Sequence, residues 1–241
     1  MIYIILPAYN EEKNLVQIFK KIDVIKDKLN PFKVILIDDC SSDKTHKLVK
    51  KKYKFQIIYR RHNPNKGLSI ALETGFKLIS KIARNKDIVI TLDSDDTHPV
   101  SIIPKMVKEI KLGNDLVIAS RFINGSIVNG VTKMRKIMSY GAKILFKIFF
   151  PFKNLNDYTF NYRCYNSNLI KEVLKDKKFF KNEDFNIAAK IIIFLTTKYN
   201  YIKIKEIPFN LSYDLKIGKS KMNITKTILL TLKLILLKKI Y

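Results

Sequence analysis

The chain of 241 residues has no tryptophan, two cysteines, seven glycines and seven prolines. Cys40 and Cys164 cannot form a disulfide framework, and the first apolar run begins at Ile2 with no basic leader before it, so a non-secreted, cytoplasmic protein is expected. There is no glycine-rich dinucleotide loop and no P-loop lysine motif, which leaves nucleotide recognition by those two routes without support. No run of about 18 or more uncharged apolar residues occurs, so no conventional membrane span is expected. Neither an aromatic-rich RNA signature nor a zinc-ligand spacing is present, and nucleic acid is not expected as a partner. Arginine is scarce as well: six residues (Arg60, Arg61, Arg84, Arg121, Arg135, Arg163) against forty lysines.

Hydrophobic residues make up 47% of the chain, ample for the core of one large domain or two small ones. Lysine and arginine outnumber the acids 46 to 21, a net charge of +25 that draws the surface toward anionic lipid or a phosphorylated substrate. The accompanying wealth of isoleucine and asparagine marks part of the lysine excess as compositional drift.

Short apolar runs without polar alternation recur at 2–6, 34–37, 55–59, 88–92 and 116–119, and read as strands buried on both faces. Helical stretches separate them. One follows the cap Asn10-Glu11-Glu12 to about residue 28, and another follows Ser41-Ser42-Asp43 to about 52. Two more cover 67–83 and 102–112. This alternation predicts an α/β fold, a mostly parallel sheet with helices on both faces. Ligands bind such sheets at the carboxyl ends of the strands. Tyr9-Asn10-Glu11, Asp38-Asp39 and Asp93-Ser94-Asp95 lie at three of those ends.

The stretch Thr91-Leu92-Asp93-Ser94-Asp95-Asp96-Thr97-His98-Pro99 sets three carboxylates directly after a strand. Side chains alternate along a strand, so Asp93 and Asp95 leave on the same side and can share one cation. Magnesium often sits on one or two carboxylates plus substrate phosphates. The competing reading is an acidic turn that caps the next helix.

Beyond Arg121 the pattern changes. A loop over 122–132 leads to a helix over 134–150, where Lys136, Lys143 and Lys147 fall on one side and Met138, Leu145 and Phe149 on the other. A lysine-rich face opposite an apolar one suits a helix lying at a membrane interface; an ordinary surface helix is the alternative. Residues 154–165 read as a strand with flanking loops, 182–197 as a helix, and 201–205 and 208–211 as strands. The segment 223–240 is a second amphipathic candidate, with Ile224, Ile228, Leu232, Ile235 and Leu236 on one face and Lys226 and Lys233 opposite. The expected organisation is a catalytic domain over 1–212, with an interface helix inserted at 133–152, and a basic membrane-proximal segment over 213–241.

Several blocks in order carry a family resemblance: Pro7-Ala8-Tyr9-Asn10-Glu11, Asp38-Asp39-Cys40-Ser41-Ser42-Asp43, Asn65-Lys66-Gly67 with Ala71 and Gly75, and Asp93 through Pro99. Together they resemble family 2 glycosyltransferases of the GT-A fold. Asp157 through Arg163, and Gly218-Lys219-Ser220-Lys221 after Glu206-Ile207-Pro208, resemble the branch of dolichol-phosphate mannose synthases and polyprenyl-phosphate sugar transferases. The resemblance implies that Pro7, Tyr9, Glu11, Asp39 and Asp93 cradle a nucleotide-sugar donor, and that Asp93 and Asp95 hold Mg2+ or Mn2+, Asp95 more directly. It also implies that Arg121 and Arg163 face phosphates, that Ser220 and Lys221 receive the phosphate of a polyprenyl lipid acceptor, and that Asp95, Asp157 and Arg163 serve catalysis. The chain departs from the branch at Thr97, where glutamine is usual, and at Asp214 and Lys216, where an arginine is common. The transmembrane tail of some members is not found, and peripheral attachment to an anionic membrane surface, on its inner face, is expected.

The chemistry agrees with inverting hexose transfer, since a cation and fixed positive charges stabilise a leaving diphosphate. A phosphate monoester acceptor, with second pKa near 6, is already anionic and needs no strong base. A glycan hydroxyl acceptor, the alternative, needs a carboxylate base within hydrogen-bond reach, for which Asp157, Glu183 and Asp184 are candidates. A non-catalytic membrane- or nucleic-acid-binding protein is the remaining reading; acidic strand ends argue against it.

Overall fold

The computed structural model describes residues 1–181, 186–218 and 224–236. The first half of the chain runs β1 (Ile2–Ala8), α1 (Glu12–Leu29), β2 (Phe32–Asp38), α2 (Thr45–Leu48), β3 (Gln56–Arg61), α3 (Leu68–Ile82), β4 (Ile88–Thr91), α4 (Ile103–Lys111) and β5 (Leu116–Ser120). Then follow β6 (Ile127–Asn129), α5 (Lys133–Phe149), β7 (Arg163–Asn166), α6 (Ser167–Val173), α7 (Ile187–Lys198), β8 (Ile204–Pro208), β9 (Asn210–Ser212) and α8 (Ile224–Leu236). Seven strands form one sheet in the order β3-β2-β1-β4-β7-β5-β8, parallel except for β7, and β6 pairs with β9 in a separate two-stranded ribbon.

The apolar runs form strands because both sheet faces are covered. Alternate β1 residues divide between two cores: Ile2, Ile4 and Leu6 pack on one face with α1 and α4, Tyr3 and Ile5 on the other with α3 and α7. Gly75 lets α3 approach β1 closely, since a Cβ there would stand 2.9 Å from the buried Ile5 Cγ2. Gly75→Val is therefore expected to lower unfolding stability by roughly 1–3 kcal/mol through overpacking, measurable by urea denaturation.

The chain differs from the expected pattern in three places. The helix expected to reach about residue 52 closes after Leu48, ahead of the like charges of Lys50, Lys51 and Lys52. The loop expected over 122–132 contains β6, paired with β9. The two strands expected at 201–205 and 208–211 are shifted: β8 runs through Glu206 and Ile207 to Pro208. Glu206 is satisfied there because its carboxylate accepts from the backbone N–H groups of Asn156 and Asp157 at 2.9 and 2.7 Å, and an edge strand tolerates proline. The segment after residue 212 packs back on the same body, with Ile235 of α8 buried in the second core. The calls on Ser220, Lys221, Glu183 and Asp184 lie outside the described residues.

Candidate active site

The ends of β1 and β2 interlock through side chains. Asn10, at φ 55°, does not cap α1; its Oδ1 accepts from the N–H groups of Ser42 and Asp43 at 2.7 and 3.3 Å. The N-terminus of α1 is capped instead from the neighbouring loop, Glu11 N–H donating to Thr45 Oγ1 at 3.2 Å and Glu12 N–H to Asp43 Oδ2 at 3.0 Å. Asp39 at the end of β2 braces the next wall. Its carboxylate accepts from the N–H groups of Lys66 and Gly67 at 2.9 and 2.8 Å and meets His62 Nδ1 at 2.7 Å. Gly67 stands at φ 84°, a conformation glycine adopts without strain.

The acidic stretch forms the floor after β4. Asp95 Oδ1 accepts from Thr97 Oγ1 at 2.7 Å and from its N–H at 3.3 Å, while Oδ2 takes the ammonium of Lys216 at 2.6 Å. Thr97 thus anchors Asp95. Asp93 meets Asn161 Nδ2 at 3.4 Å, and its backbone N–H donates to His98 Nδ1 at 3.1 Å, which places the ring proton on Nε2, 3.7 Å from Asp93 Oδ2. His98 is buried and stacked on Tyr162 at 4.9 Å rather than standing in an open turn. Asp96 is turned away, at φ 62°, with both oxygens 2.7 Å from the Lys21 ammonium.

These neighbours divide the two carboxylates. Burial raises the Asp93 carboxyl above its ordinary value, with His98 opposing and the charge of Asp95 adding. Burial alone would raise Asp95 too, but the fields of His98 and Lys216 and hydrogen bonds from Lys216 and Thr97 leave it lowered. Burial also lowers the His98 ring below its ordinary value, against the opposing fields of Asp93 and Asp95.

A second charged pair braces the wall after β5. Arg121 donates from Nε and a terminal nitrogen to the two oxygens of fully buried Asp157, both at 2.8 Å, and to Thr159 Oγ1 at 2.7 Å. Its guanidinium lies 4.7 Å from the Phe160 ring centre. Burial would raise the Asp157 carboxyl, but Arg121 outweighs it and holds it low. Arg163 corrects the expectation that it faces a phosphate. On β7 it is fully buried and donates to the carbonyl oxygens of Ala188 and Tyr158, the latter at 2.7 Å, away from the cleft walls.

The structure brings Pro7, Tyr9, Glu11, Asp39, Asp93, Asp95 and Arg121 to one cleft of about 1220 Å³. Met138 and Leu145 of α5 also line it, with Ile228 and Leu232 of α8 and the lysines Lys136 and Lys226 of the same helices. Of the apolar α5 face expected to meet a membrane, Met138 and Leu145 line the cleft and Phe149 is exposed. The other exposed apolar residues of α5 are Met134, Ile137, Tyr140, Ile144 and Ile148, beside exposed Lys136 and Lys147. Asn14, Thr159 and Asn161 had no role assigned from the sequence; their contacts with Ile217, Arg121 and Asp93 join residues too far apart along the chain for spacing to reveal them.

Among the described residues no group of three or more His, Cys, Asp or Glu side chains could hold a metal alone. Two carboxylates opening on a diphosphate-sized cleft nonetheless fit Mg2+ or Mn2+, which take the remaining oxygens from phosphate and water. The lysine ammonium on Asp95 marks that carboxylate as a cation position.

A mostly parallel sheet flanked by helices, with carboxylates at the ends of β2 and β4 beside one cleft, has the GT-A architecture. Residues 3–175 match the family described as Glycosyl transferase family 2, and the chain belongs to that family. It is 32% identical over 224 residues to a dolichol-phosphate mannosyltransferase of Pyrococcus furiosus, covering 91% of this chain and 58% of that protein's length. It is 27% identical over 222 residues to an undecaprenyl-phosphate mannosyltransferase of Micrococcus luteus, covering 91% and 86%. Glucosyl-3-phosphoglycerate synthase of Mycobacterium tuberculosis, solved with Mn2+, uridine diphosphate and glucosyl-3-phosphoglycerate, shares the fold with a TM-score of 0.63 at 16% identity, covering 99% of this chain and 78% of that one.

Proposed function

We propose that the chain transfers a hexose, with inversion, from a nucleotide-diphosphate sugar to a polyprenyl phosphate while resting on an anionic membrane surface on its cytoplasmic side. One observation carries this reading: a single cleft is lined both by Asp93 and Asp95 and by apolar residues of α5 and α8, with Lys136 and Lys226 among them. Such a lining suits a charged donor together with a lipid phosphate. The names of the Pyrococcus and Micrococcus relatives support the same acceptor class.

In this reading Asp95, with Asp93, holds Mg2+ or Mn2+, which when bound would offset charge developing on the leaving diphosphate. Pro7, Tyr9 and Glu11 on the β1 side and Asp39 with its braced 65–67 loop enclose the nucleoside. Arg135 and Lys216 on the cleft wall supply positive charge for phosphates. Asp157 is held low and locked by Arg121, which makes it a poor general base. A phosphate acceptor needs none; the other base candidates for a glycan hydroxyl, Glu183 and Asp184, lie outside the described residues.

A thermal-shift panel tests the donor end. A nucleotide sugar with Mn2+ at about 100 times its Kd is expected to stabilise the protein by about 2.7 kcal/mol; no metal-dependent shift with any donor would oppose the reading. No helix among the described residues is long and apolar enough to cross a membrane, so attachment falls to exposed faces. Ile137→Asp with Ile144→Asp is expected to cut co-sedimentation with anionic vesicles at least about tenfold, since charge on an inserted apolar face opposes partitioning. Binding of nucleotide should be unchanged.

A further inference from the structure

Both oxygens of Asp95 already have partners. One is held by Thr97 and the other by Lys216, whose ammonium stands 2.6 Å away with only a small part of its side chain exposed. The contact is not a chance meeting of flexible side chains. Lys216 belongs to a short strap that leaves β9, turns through residues 213–215 and crosses the acidic floor toward α1. Buried Asn14 of α1 holds the next residue at both backbone groups: its Oδ1 accepts from Ile217 N–H and its Nδ2 donates to Ile217 C=O, each at 3.2 Å. Nδ2 also donates to Glu11 at 2.6 Å, tying the strap to the nucleoside side of the cleft. Lys216 N–H closes the turn on Tyr213 C=O at 3.1 Å, and Lys216 and Tyr213 both line the cleft.

We propose that Lys216 is a tethered cation that occupies the metal position on Asp95 until a diphosphate arrives, and so couples metal entry to donor entry. The inference rests on the metal reading of Asp95 given above. A divalent ion arriving alone must displace an ammonium already neutralising that carboxylate. It gains little, because it exchanges one favourable charge pair for another and leaves Lys216 beside a new positive centre. A nucleoside diphosphate changes the balance, since its phosphates give Lys216 a replacement anion at short range and give the metal its remaining oxygens. Release of Lys216 and loading of the metal then become one event, with the strap as the moving part. The coupling is reciprocal: whatever the diphosphate contributes to metal affinity, the metal contributes to diphosphate affinity.

The test is calorimetric titration of the intact chain with MnCl2 alone, and separately with uridine or guanosine diphosphate alone, in wild type, K216M, K216R and D95N. Lys216→Met keeps the aliphatic stem, and folding is checked by circular dichroism. K216M is expected to bind Mn2+ alone about tenfold more tightly than wild type, within the usual range of coupling between sites, and to bind diphosphate alone more weakly. K216R, which keeps the charge, should behave as wild type toward Mn2+. Unchanged or weaker Mn2+ binding in K216M would overturn the proposal and leave Lys216 as a phosphate contact alone. D95N separates the two claims: if it binds Mn2+ as well as wild type does, the metal reading of Asp95 fails rather than the role of Lys216.

Discussion

Replacing Asp95 by asparagine is expected to lower sugar transfer by roughly 10²- to 10³-fold, the scale of losing one fixed electrostatic contact to a developing charge. Asparagine keeps the shape of the side chain and an oxygen for the Thr97 hydroxyl, so the loop after β4 holds its form. What disappears is the carboxylate of the stretch that Lys216 and Thr97 hold below its ordinary pKa and that lines the cleft. Asp93→Asn should cost less, because burial already raises that carboxyl and its backbone position is fixed by His98. Asp96→Asn should leave turnover near wild type, since its carboxylate is spent on Lys21. The three neighbouring acids thus give three graded results, checked by initial rates at saturating donor.

The second large effect concerns stability. Asp157→Asn is expected to cost about 3–5 kcal/mol, because it strands the Arg121 guanidinium in a buried setting without its counter-charge. Urea denaturation reads the loss, and Arg121→Met with Asp157→Leu should recover much of it, since an apolar pair leaves no charge buried. The pair also sets an acid limit. Asp157 is held below the ordinary carboxylate value, so its contribution is complete above about pH 4, the unfolded value, and is lost as pH falls through the lower folded value. Wild type should lose stability over that acidic window more steeply than the apolar double variant.

The sheet was legible where strands are buried on both faces, because nothing but a continuous apolar run can occupy such a place. β1, β2, β4 and β5 read directly, and the carboxylates at the ends of β2 and β4 followed from them. β7 was hard to place because its buried arginine looks like a phosphate ligand. Only the fold reveals that its two terminal nitrogens donate to the carbonyl oxygens of Ala188 and Tyr158. The outward face of α5 was legible only in part, Phe149 being exposed while Met138 and Leu145 line the cleft. Its apolar residues span more than one face, and periodicity does not say which part faces the cleft and which faces outward. Lys216 stood out only as a departure from a pattern; its contact with Asp95 joins residues 121 positions apart. Asn10 shows the same limit at short range, since a residue well suited to cap its own helix instead closes the adjoining loop.

The central claim is that a sugar moves from a nucleotide to a lipid phosphate in this cleft. Incubating the protein with radiolabelled nucleotide sugars, Mn2+ and membranes bearing polyprenyl phosphate should give a labelled product that partitions into organic solvent and disappears in Asp95→Ala. Label recovered solely on water-soluble saccharides, with none in the organic phase, would contradict the account.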